Sequence, residues 1–183
     1  MNKHIRNIAI GILALALQPA YAALADTGAA TGVANIAGST LHFGTGTSTV
    51  TFSAITLDGL TDQSARAAPT QNVTDATGSG NGWNVSVAAT QFSTGGIAPH
   101  TLSTTALSIG TASSAASAGT NATNGVTGYP LTVPSTGVKV FSATASTGMG
   151  TDSITLPYSL FVPVATFAGA YSSTLTYTLT SAP

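Results

Sequence analysis

The only acids in the 183-residue chain are five aspartates, Asp26, Asp58, Asp62, Asp75 and Asp152; glutamate and cysteine are absent. Paired-carboxylate catalysis needs two of them in one cleft, one holding a proton and one ionised. Asp58 and Asp62 are near neighbours, but their polar surroundings read as a solvated loop. Beyond the first few residues the histidines are His42 and His100, in unrelated segments without the close spacing of a zinc or copper site. No serine stands between glycines two residues before and two after it, so the nucleophile elbow is missing. The glycine-rich run 78–82 fails the dinucleotide spacing and opens a strand instead of a helix, which makes it a turn. These negatives predict a non-catalytic protein with no metal and no cofactor. Sequons at Asn72, Asn84 and Asn121 arise readily in a chain so rich in Ser and Thr, and carry no assigned function.

The elements that would hold any site begin with a leader. Lys3 and Arg6 precede the apolar run 8–17, and Ala20 and Ala22 form a small-residue cleavage signal, so residues 1–22 read as a secretory signal peptide. No second long apolar segment follows, and no transmembrane anchor is expected after its removal. Arg66 and Lys139 then face the five aspartates, a net charge of minus three. Two isolated cations make no phosphate-binding patch, which excludes nucleic acid as a partner. The same scarcity argues against charge-driven adhesion to anionic polymers, while weak self-repulsion permits close packing. An exported chain without disulfides points to a bacterial or archaeal surface.

Residues 23–38 read as a flexible segment and 39–183 as one domain of antiparallel β-structure. The architecture expected is a sandwich or partly closed barrel of about seven or eight strands. Residues 39–43 and 50–57 look like a hairpin, and 61–69 like a loop, with a short strand at 71–76. Further strands are expected at the Trp83 segment, 101–109, 137–145, 153–162 and 171–180. Pro157 and Pro163 should demote the 153–162 stretch to an edge, a bulged strand or two shorter pieces. The low-complexity run 110–125 reads as a long exposed loop.

One large aromatic stands out: Trp83, the single tryptophan, at the mouth of a strand where Trp83, Val85 and Val87 share a face. The closing segment 169–183 places Leu175, Tyr177 and Leu179 on one face in the same way. Together these stretches resemble the WxL surface domain of Gram-positive bacteria. Gly82-Trp83-Asn84-Val85-Ser86-Val87 matches its Gly-Trp-x-Leu-x-Val strand, followed by Phe92 and Leu107-Ser108-Ile109. The Gly-x-Tyr element, the closing Thr-Leu-Thr strand and the terminal Pro follow in the family's order. Val85 stands where the family has Leu, and Tyr177 where it has Trp; each swap preserves the strand face.

The resemblance implies a secreted β domain held non-covalently at the cell surface or cell wall, with peptidoglycan as ligand. It marks Trp83, Val85, Tyr177 and Leu179 as motif residues for ligand binding. The absence of a Leu-Pro-x-Thr-Gly sorting signal agrees with non-covalent retention. From the residues themselves, Trp83 and Tyr177 could stack on sugar rings, with Asn81 and Asn84 as polar contacts. The alternative, which area burial favours, is that both motifs face inward from neighbouring strands. Other surface proteins, or self-association by strand pairing into a fibre or layer, are the alternative partners.

Overall fold

The computed structural model describes residues 30–46 and 49–181. The predicted leader lies outside them. Residues 1–35 and Ile36–Pro183 form separate units; within the first, residues 30–35 are exposed and carry no strand. The second is all-β. Alternation of small or branched apolar residues with Ser and Thr writes its strands, one face dry and the other wet.

Eleven strands, all antiparallel, fall into three sheets among the described residues. The first has the order β1 (Leu41–Phe43), β3 (Thr70–Asp75), β9 (Gly150–Thr155), β6 (Ser113–Gly119). The second runs β2 (Gln63–Ala67), β10 (Tyr158–Val162), β5 (Leu107–Ile109), β7 (Leu131–Thr132). The third runs β11 (Leu175–Ser181), β4 (Trp83–Ala89), β8 (Val138–Ala143). Inward residues of all three build one core, with Val73 and Ile154 from the first sheet, Tyr158, Leu107 and Ile109 from the second, and Trp83, Val85, Val87 and Phe141 from the third. The result is sandwich-like and not a closed barrel.

Several expected elements change. Residues 39–43 and 50–57 form no hairpin: β1 pairs with β3, His42 opposite Thr74. Residues 50–57 form no strand and join no ladder, although Val50, Phe52, Ile55 and Leu57 are half-buried against the core. A single exchange ties them to β2, Ser53 N–H to Arg66 O at 2.9 Å and Arg66 N–H to Ser53 Oγ at 3.0 Å. The expected loop 61–69 contains β2. Its Gln-Ser-Ala-Arg-Ala sequence has little β preference, yet pairing with β10 and burial of Ala65 hold it in place. The expected loop 110–125 contains β6, because backbone pairing with β9 needs no bulky side chains. Pro157 splits 153–162 into β9 and β10, as its missing N–H requires.

Two acids are buried, Asp75 at the end of β3 and, more deeply, Asp152. Asp152 has no exposed surface and faces inward from β9 opposite Val73 and Ala116. Its Oδ1 accepts the Ala122 N–H at 3.0 Å, and Oδ2 has no hydrogen-bond partner. Burial pushes this carboxyl above the ordinary carboxylate range, the Ala122 bond opposing only in part. A carboxyl raised in the folded state lends stability below its unfolded pKa and loses it as pH rises through the folded value. Relative to Asp152→Asn, the wild-type chain should therefore lose stability as pH is raised from about 3 to about 7. Thermal midpoints of both proteins across that range check the sign; a wild type that gains relative to the variant would contradict it.

Candidate functional site

Strands β4 and β11 bring the two motifs side by side: Val85 lies opposite Leu179, Val87 opposite Tyr177 and Trp83 opposite Ser181. Opposed residues share a face, and here it is the inner one. Trp83 and Val85 have no exposed surface, whereas Tyr177 and Leu179 are half-buried on the edge strand. The Trp83 ring stacks on Phe141, centroids 5.4 Å apart and planes 23° apart. Its indole N–H donates to Gly148 O at 3.0 Å, so burial leaves no polar atom stranded. Gly148 has φ +70°, and a Cβ there would lie 2.9 Å from that indole nitrogen. Gly82, at φ +79°, passes so close to the Ala143 carbonyl that a Cβ would meet its oxygen at 2.2 Å. The glycines flanking the tryptophan are thus fitted to its burial.

Of the four motif residues, Tyr177 lines a cleft. Three clefts, of about 480, 510 and 430 Å3, lie along the opening beside β11 and the loop 163–174, and Tyr171 lines all of them. The first joins Tyr177, Leu175 and Phe92 to Val50 and Phe52. The second lies on the other side of Phe52, floored by Leu102, Leu160 and Val162. The third lies between the 99–103 and 163–167 loops. Phe52 itself is held edge-on to Phe92 at 5.7 Å.

The rim of these clefts is an aromatic shelf. Phe167 is 63% exposed, and the His100 ring lies parallel to it, centroids 3.9 Å apart and planes 11° apart. Two loops hold that pair. Residues 92–102 turn back on themselves, with Leu102 N–H bonded to Phe92 O and Thr94 N–H to His100 O, both at 3.0 Å. The loop from β10 to β11 is pinned by Val164 N–H to Asp62 Oδ1 at 2.8 Å and by Tyr171 O–H to Phe167 O at 3.0 Å. Ser172 and Ser93 exchange backbone bonds and bring the two loops together.

No aspartate, lysine or arginine lines these three clefts, and His100 is the one imidazole on them. The Tyr177 phenol lining the first cleft stays neutral: buried Tyr158 donates to Tyr177 Oη at 3.2 Å, and burial pushes both groups above the ordinary tyrosine range. The loop carboxyl Asp58 is held down to about 2 by the backbone N–H groups of Thr61 and Leu60, and serves as a turn brace. Such a site can grip by apolar contact and neutral hydrogen bonding. Among the described residues no acid or histidine cluster is arranged to hold a metal ion, and no helix is long and apolar enough to cross a membrane.

The fold and clefts thus define a sparsely charged all-β domain with an aromatic-rimmed opening. The chain belongs to the WxL family, described as WxL domain surface cell wall-binding, which it matches over residues 19–183. Membership places it among proteins of the cell surface and cell wall. No curated protein and no solved structure matches it.

The His100–Phe167 shelf and Tyr171 were not marked as binding residues by the sequence. The available signal was a phenylalanine in a loop of small residues between two strands, which has no strand face to explain it.

Proposed function

We propose that the secreted mature chain is a non-catalytic module that attaches non-covalently to the bacterial wall, with peptidoglycan glycan as ligand. The observation that carries this reading is an exposed, braced aromatic shelf beside clefts without aspartate, lysine or arginine. A sugar ring presents a flat C–H face to an aromatic and hydroxyls to short polar groups, and the clefts offer Thr166, Ser172 and Ser173 for the latter. In this reading Tyr177 borders the ligand, while Trp83, Val85 and Leu179 act through the strands they hold together.

Because the grip is uncharged, pelleting of the mature protein with purified peptidoglycan should change less than about twofold between 0.05 and 1 M NaCl, where ionic contacts are screened to about 3 Å. Loss of pelleting in high salt, or no pelleting in either, would refute it.

A further inference from the structure

Among the described residues the three sheets have six edge strands, and five of them are protected. An unguarded edge is a template for pairing with another chain. β1 and β7 are only three and two residues long. β2 carries the exposed Arg66, whose backbone N–H and carbonyl are both taken by Ser53. β6 is bulged between Ala116 and Ala118, and the Ala116 N–H is bonded to the Asn121 side chain. β8 carries the exposed Lys139 and a register shift, and its outer backbone groups bond to Asn124, Gly125 and Tyr129. The two basic residues outside the predicted leader therefore both stand on edge strands, where a charge blocks pairing.

β11 has none of these devices. It is seven residues long, Leu175–Ser181, without charge or proline, and its register with β4 runs unbroken through all seven pairs. Its outward residues Thr176, Thr178 and Thr180 are exposed. β1 comes near this edge without pairing to it, and three residues cannot cover seven.

We propose that two copies of this chain pair through β11, antiparallel about a two-fold axis at the middle of the strand. The strand is complementary to itself. An antiparallel register centred on Tyr177 keeps threonines opposite threonines on one face and leucine and tyrosine opposite leucine and tyrosine on the other, and one centred on Thr178 does so over residues 176–180. With no charge in the strand, identical copies meet without repulsion. The third sheet then continues across the axis as six strands, β8-β4-β11-β11-β4-β8. Since the same edge serves both partners and the other edges are guarded, assembly closes at two copies and builds no filament.

Sedimentation of the mature chain over a concentration series tests this, with a dimer expected as the largest species. Thr178→Lys sets like charges across the axis in either register and should weaken self-association at least tenfold, while leaving the thermal midpoint unchanged at a concentration where both proteins are monomeric. Mixing Thr178→Lys with Thr178→Glu should restore the dimer as a mixed pair. A wild type that stays monomeric or polymerises without limit would overturn the proposal. So would a Thr178→Lys variant that dimerises normally, or variants that stay apart when mixed.

Discussion

Trp83→Ala should cost about 3–5 kcal/mol of folding stability, the largest loss expected of any single substitution in this chain. The ring is wholly buried, stacked on Phe141, and bonded through its N–H to Gly148 O. Removing it opens a cavity where the third sheet meets the 144–148 turn and leaves the Gly148 carbonyl without its donor. Domains of this size are stable by about 5–15 kcal/mol, so the variant should be marginal. Urea unfolding followed by far-ultraviolet circular dichroism checks it; a loss under about 1 kcal/mol would mean that the ring does not carry the core. The consequence for function is direct. Lost wall binding in Trp83→Ala reports unfolding, so the motif tryptophan cannot by itself locate the ligand.

Phe167→Ala has the opposite signature: a large effect on binding and little on stability. The ring is mostly exposed, and its main partner is His100, itself exposed. Covering about 60 Å2 of aromatic surface with a sugar face is worth about 1.5 kcal/mol at about 25 cal/mol per Å2, or roughly tenfold in Kd. Pelleting with peptidoglycan should therefore weaken about tenfold in Phe167→Ala while the urea midpoint stays within error of the wild type. Unchanged affinity would remove the shelf from the binding surface.

The sequence revealed the parts of the fold whose side chains advertise them. Trp83, Val85 and Val87 alternate with Asn84 and Ser86, and Leu175, Tyr177 and Leu179 alternate with threonines, so β4 and β11 and their common inward face are legible. The family is legible from the same two stretches. Pro157 announced the break between β9 and β10. β2 and β6 were hidden because Gln-Ser-Ala-Arg-Ala and Ser-Ser-Ala-Ala-Ser-Ala-Gly carry loop composition; a neighbouring ladder satisfies their backbone groups, and that partner is more than 30 residues away. Residues 50–57 err the other way: their alternation packs apolar side chains onto the core, but with β1 committed to β3 they meet β2 only through the Ser53–Arg66 exchange. The aromatic shelf depends on two loops meeting, through Ser93 with Ser172 and His100 with Phe167, and distance in sequence conceals such a junction.

The location of the ligand is read most directly by nuclear magnetic resonance, titrating soluble peptidoglycan fragments into the labelled mature protein. The single tryptophan gives one indole N–H signal, an unambiguous reporter of the core. Shifts should gather in residues 99–103 and 163–173 while the Trp83 indole signal stays in place. Movement of that signal with the two loops silent would contradict the account.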